Sequence, residues 1–172
     1  MTNSSLKART IVLAVFVFPV LSTPGKTFTT FDGGAGTFKR FCLAEAMYFE
    51  AGGEPRAGRW AVGRVILNRT KLSGYPNGIC GVVYQNAHLK NRCQFSFVCD
   101  GKPNWITDAQ LWREILLESS ALLNCLQGCN TPEDPKGPLA LSTHYHAVSV
   151  SPSWSKKLHR TGQIGNHIFY RL

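Results

Sequence analysis

No apolar run in this sequence is long enough to cross a bilayer. The longest, Ile11 to Leu21, has about eleven residues and would reach only about 16 Å as a helix, against a hydrocarbon core of about 30 Å. Basic runs are absent as well. The cations stand singly or in pairs such as Lys156-Lys157, a pattern that a solvated basic surface explains and that gives no nucleic-acid-binding tail. The sequence has neither G-x-S-x-G nor H-E-x-x-H, the spacings of a serine nucleophile elbow and of a zinc-protease helix. It also lacks C-x-x-C, and Cys125 and Cys129 have no second spaced Cys/His pair with which to build a zinc site. No internal repeat is visible, and no carboxylate pair stands out as the two arms of a hydrolase that works with two acids.

What is present describes an ordinary globular domain. The chain has 172 residues, 44% of them hydrophobic and 17% charged, which suits one domain with a real core. Its formal net charge of +9 favours anionic partners: nucleic acid, acidic lipid or a carboxylate-bearing cell wall. Lys7 and Arg9 precede the apolar run, and Ser22, Thr23, Pro24 and Gly25 follow it, the order of a secretory leader. Residues 1–24 are therefore expected to direct export to the periplasm, cell wall or medium. No stable membrane insertion is expected after cleavage, and export argues against nucleic acid as partner. A short buried helix or a retained segment is the competing reading. Six cysteines agree with an oxidising compartment, though fifteen pairings stay open. Cys93 and Cys99 bracket a short apolar segment that a disulfide would staple.

Residues 25–37 read as a linker rich in Gly, Thr and Phe, and 38–172 as the folded domain. Phe38 to Ala51 is nearly continuously apolar, a helix buried on most sides, and Gly52-Gly53 stops it. Pro55 opens a second helix running to about Lys71. Ile79 to Tyr84 reads as a short helix and Cys93 to Cys99 as an extended segment. Thr107 to about Gln127 is the clearest helix, with Thr107-x-x-Gln110 in capping-box form and Gly128 at its end. Thr143 to His146 and His167 to Tyr170 alternate as strands do. The fold class is α+β, mostly helical, with a small β region at the end.

Among the acids, Glu50 has the best setting. It ends the apolar helix beside Tyr48 and Phe49, just before two glycines. Burial and the negative end of the helix dipole both raise a carboxyl pKa there. Each unit of upward shift multiplies the protonated fraction near neutrality about tenfold. Glu45 sits five residues earlier, about 140° around the helix, and should point elsewhere. Glu54 suits a helix cap or a substrate contact; Asp100 and Asp108 are weaker second carboxylates. His144 and His146 share one face of a strand. With His159, His167 and a glutamate they could form a metal site, but hydrogen-bonding or substrate-lining roles are preferred, so neither metal nor cofactor is expected.

Several segments then resemble, in order, the SleB/CwlJ family of cell-wall hydrolases: Leu43-Ala44-Glu45-Ala46, Tyr48-Phe49-Glu50-Ala51-Gly52-Gly53-Glu54-Pro55, Ala61-Val62, Asn68-Arg69, Tyr75-Pro76 and Cys80 to Gln85. Cys93-Gln94-Phe95-Ser96-Phe97, Thr143 to Ala147, Pro152-x-Trp154 and Gly165-x-His167-x-Phe169-Tyr170 continue the series. One departure is Gly52, where the family usually has arginine. The resemblance implies a lysozyme-like domain akin to lytic transglycosylases, with peptidoglycan as substrate. By that likeness Glu50 is the single acid and base, and Gln94, Ser96, Tyr145, His146 and Glu54 bind substrate. A muramidase, a metal-dependent amidase or a non-catalytic wall-binding module are the alternatives.

Overall fold

The computed structural model describes residues 35–90, 92–125 and 130–172. The leader expected at 1–24 and the helix end expected at about Gln127 and Gly128 lie outside them. Four helices precede a three-stranded sheet: α1 (Ala35–Ala51), α2 (Arg56–Arg69), α3 (Ile79–Val83), α4 (Ala109–Asn124), then β1 (His144–Ala147), β2 (His159–Ile164) and β3 (His167–Arg171). The α+β, mostly helical class read from the sequence is the observed one. α1 begins at Ala35, so the last three residues of the expected linker are helical.

Helix α1 is the axis of the fold. It buries Leu43, Ala44, Ala46, Met47 and Ala51 and packs against α2, α3 and α4. The helices meet closely at Gly63, where a Cβ would lie 2.5 Å from Leu122 Cδ2 and 3.1 Å from Met47 Sδ. A disulfide from Cys42 to Cys80 fastens α1 to α3, and a second joins Cys93 to Cys99.

Three local expectations are corrected. The 93–99 segment is not a strand: Ser96–Val98 forms a 3-10 turn that drops Phe97 into the core. Helix α4 is capped by Asp108 rather than Thr107; the Asp108 carboxylate accepts from the Gln110 and Leu111 N–H groups at 3.0 and 2.9 Å, satisfying two donors the first turn leaves free. The Thr107 and Asp108 N–H groups donate instead to the Tyr48 hydroxyl, at 3.2 and 2.9 Å, so α1 fixes where α4 starts. A third strand, β2, was not expected. Its sequence HRTGQI is polar and half exposed, and an edge strand of that kind shows no apolar alternation.

The sheet order is β1-β3-β2, antiparallel throughout, with Tyr145 opposite Phe169. One sheet face lays Phe169, with Tyr145 and Ile164, on Ala51, Ala61, Val62 and Val65. That packing brings the middle of β1 against the C-terminal end of α1.

Candidate active site

Glu50 occupies the last turn of α1, where the apolar residues around it leave its carboxyl only partly open to solvent. It lines a cleft of about 400 Å³ together with Cys93, Gln94, Ser96, Cys99 and Asp100. The opposite contact comes from the sheet: the Tyr145 hydroxyl donates to Glu50 Oε2 at 2.9 Å. Two remote parts of the chain thus converge on one carboxyl, the disulfide-closed 93–99 loop and strand β1. Stacking of Phe49 on Phe97, at 5.0 Å between ring centres, and burial of Phe95 hold the loop against α1.

The electrostatics favour a protonated acid. Burial raises the Glu50 pKa above the usual carboxyl value, because the charged form loses water. The hydrogen bond from Tyr145, the Ser96 backbone N–H, the Arg69 charge and the Ser96 hydroxyl pull it back, without cancelling the rise. Tyr145 itself is pushed well up, by burial first and then by the Glu50 charge and hydrogen bond. It therefore stays a donor at neutral pH. An acid whose neutral form is favoured by burial, and whose conjugate base already has hydrogen-bond donors waiting, is suited to give a proton and hold the resulting charge.

Of the six residues expected at the site, the structure brings four together: Glu50, Gln94, Ser96 and Tyr145. The other two, Glu54 and His146, do not line this cleft. Glu54 Oε2 accepts the Asn166 N–H at 2.9 Å, clamping the β2–β3 turn where Gly165 has φ +54°. A Cβ at Gly165 would collide with that carboxylate. Glu54 is thus committed to the fold. His146 lies on the other face of β1 from Tyr145, as strand alternation requires. Its Nδ1 donates to the Ala147 carbonyl at 2.9 Å and its Nε2 accepts from the Tyr170 hydroxyl at 3.0 Å. Trp154 packs against both His144 and His146, and burial lowers the His144 pKa to about 4, with the nearby Arg69 charge adding to the effect. Among the described residues, no group of three or more His, Cys, Asp or Glu is placed to share an ion.

Asp100, read from the sequence only as a weaker second carboxylate, reaches the cleft. Two further features of the site escaped the sequence reading. The Cys93–Cys99 disulfide lines the cleft as well as stapling its loop. Arg69, the last residue of α2, approaches from behind, donating to the Gln94 side-chain oxygen at 3.3 Å. Only the tertiary fold joins these positions. The family-divergent Gly52 has a steric reason in this chain: a Cβ there would meet the Tyr48 carbonyl oxygen at 2.5 Å and Leu111 Cδ2 at 3.4 Å. An arginine at 52 needs the end of α1 to open.

The sequence matches the model of the cell wall hydrolase family over residues 53–170, beginning just after Glu50. Spore cortex-lytic enzymes of Halalkalibacterium halodurans and Bacillus subtilis are 30% and 32% identical over 127 residues, 74% of this chain. The chain spans about a third of the length of these relatives, 33% and 35%. The crystal structure of the catalytic domain of the Bacillus cereus SleB protein is similar with a TM-score of 0.55 and 27% identity, covering 78% of this chain and 91% of that one. The catalytic domain of the germination-specific lytic transglycosylase SleB from Bacillus anthracis gives a TM-score of 0.55 and 28% identity, covering 77% and 93%. The lysozyme-like domain is therefore the SleB type, and the chain belongs to the cell wall hydrolase family.

Proposed function

We propose that this protein cleaves the glycan strands of peptidoglycan as a lytic transglycosylase, outside the cytoplasm, with Glu50 as its one acid and base. The observation that carries this reading is the position of Glu50: a half-buried carboxyl of raised pKa, hydrogen-bonded by Tyr145, on the wall of a polar cleft. Protonated Glu50 gives its hydrogen to the glycosidic oxygen between N-acetylmuramic acid and N-acetylglucosamine. The bond from that oxygen to C1 breaks as positive charge grows on the sugar ring. The C6 hydroxyl of the same muramic residue then bonds to C1, and the Glu50 carboxylate takes up its proton. One bond breaks, one forms, and the enzyme regains its starting state without consuming water. Tyr145 and the Ser96 N–H steady the carboxylate between the two proton transfers, and Gln94 and Ser96 line the space the sugars occupy.

The SleB from Bacillus anthracis, similar in fold and described as a lytic transglycosylase, supports this assignment. Export by a leader at 1–24 would place the enzyme with its substrate, and no metal or nucleic acid enters the scheme. Hydrolysis is the second reading, favoured by one observation: Asp100 lines the same cleft and offers a carboxylate that could hold a water. Glu50→Gln tests the assignment on purified sacculi. Release of soluble muropeptides is expected to fall about a thousandfold or more, and a variant releasing them at the wild-type rate would overturn it.

A further inference from the structure

Helix α2 carries three buried arginines at five-residue spacing: Arg59, Arg64 and Arg69, with 9%, 5% and 6% of their surface exposed. Burying a guanidinium is costly unless an anion and hydrogen bonds replace its water. Two of the three follow that rule. Arg59 grips Glu118 through Nε at 3.0 Å and Nη2 at 2.5 Å. Arg64 donates to Asp134 at 2.5 Å. Arg69 makes no ion pair among the described residues. Its Nε donates to the Thr143 carbonyl at 2.7 Å and its Nη1 to Gln94 Oε1 at 3.3 Å. Its charge lies over two aromatic faces, Tyr75 at 5.3 Å and Phe95 at 5.5 Å.

Three of these four contacts, those to Thr143, Gln94 and Phe95, lead toward the cleft. Thr143 immediately precedes β1, two residues before Tyr145, and Gln94 and Phe95 belong to the loop facing Glu50. We infer that Arg69 is a positioning residue for the Glu50 reaction, a buried cation whose anion is the Glu50 carboxylate formed when the proton is given up. It also sets Gln94 and the start of β1. The inference rests on Glu50 being the acid. It accounts for an arginine there, since a guanidinium keeps its charge when buried and its fork serves a carbonyl and an amide at once. The groups facing Glu50 are few: Tyr145 from β1, Ser96 and Asp100 from the loop, and Arg69 from α2. On α1 and just beyond it, Glu45 is turned to the Tyr84 hydroxyl and Glu54 to the hairpin. Arg69 is the cation acting on Glu50, and the coupling runs both ways.

The sign follows from the charge. The acid step needs protonated Glu50, so activity falls as pH rises through the Glu50 pKa. Removing Arg69 destabilises the carboxylate and moves that fall to higher pH, while slowing the step in which the carboxylate is born. Arg69→Met and Arg69→Gln are compared with wild type by the pH dependence of muropeptide release and by a carbon NMR titration of the Glu50 carboxyl. The midpoint is expected to rise by about half a unit or more and the maximal rate to fall about tenfold or more. Arg69→Lys should return the midpoint toward wild type while leaving KM raised, because an ammonium keeps the charge but not the fork. A folded neutral variant with an unmoved midpoint would overturn the inference. Should the neutral variants fail to fold, the wild type supplies the test: the Arg69 Nε–H resonance must titrate with the Glu50 midpoint and stay flat in Glu50→Gln. Independent titration of the two would overturn it equally. These titrations are read without turnover, so their failure is distinct from finding Glu50→Gln active.

Discussion

A carboxyl group held out of water resists ionisation, and at Glu50 that resistance has a consequence for stability as well as for chemistry. Its folded pKa is raised, mainly by burial. Stability from the neutral carboxyl is therefore complete at pH below the unfolded carboxyl range and is lost as pH climbs through the raised folded value. Glu50→Gln, neutral at every pH, should melt higher than wild type at pH 7, by about 3 °C for a gain on the order of 1 kcal/mol, with the gap closing near pH 4. Calorimetry across that range checks the sign; a variant less stable at pH 7 would contradict it. Tyr145 acts in the opposite direction on the same group. Its hydroxyl favours the carboxylate, so Tyr145→Phe should raise the pH at which activity falls and cut the rate about tenfold. Glu50 was legible in the sequence because its causes are local: an apolar helix, its C-terminal end, and two glycines after it. Glu54 and His146 were expected to bind substrate; their partners within the fold, the Asn166 N–H and the Tyr170 hydroxyl, were not legible because a hairpin register that no local pattern encodes sets them.

At the scale of elements, the cleft depends on one small loop. The Cys93–Cys99 disulfide closes the segment that supplies Gln94 and Ser96, and the loop has only Phe95 and Phe97 as buried anchors. Replacing both cysteines by serine should leave the helices intact and raise KM several-fold with a smaller loss in kcat, since binding residues rather than the acid are freed. Steady-state kinetics with circular dichroism separates this from general unfolding; unchanged KM would show that the anchors suffice. The helices themselves were readable from apolar periodicity. The 3-10 turn at 96–98 was not, because a buried Phe95 and Phe97 at alternate positions look like a strand when the intervening chain cannot be seen to curl.

For the whole molecule, the ion pair between Arg59 and Glu118 ties α2 to α4, and Arg56 bridges from Glu118 to Glu133 in the loop beyond α4. Arg59→Met leaves Glu118 buried with only the more distant Arg56, and should cost about 3 kcal/mol in chemical denaturation while the Glu50 pH profile stays in place. A shifted profile would mean that this pair and the cleft are coupled. The layered arrangement, helices first and sheet last, followed from the order of periodic segments. The way the sheet delivers Tyr145 to α1 came only with the fold, through Phe169 seated on Val62 and Val65.

Digestion of purified sacculi, with the muropeptide ends identified by mass spectrometry, tests the central claim most directly. One carboxylate acting first as acid and then as base must leave 1,6-anhydromuramic ends, and these are the expected products, absent with Glu50→Gln. Reducing muramic ends would transfer the second step to water and Asp100. Freed stem peptides or no soluble product at all would contradict glycan cleavage altogether.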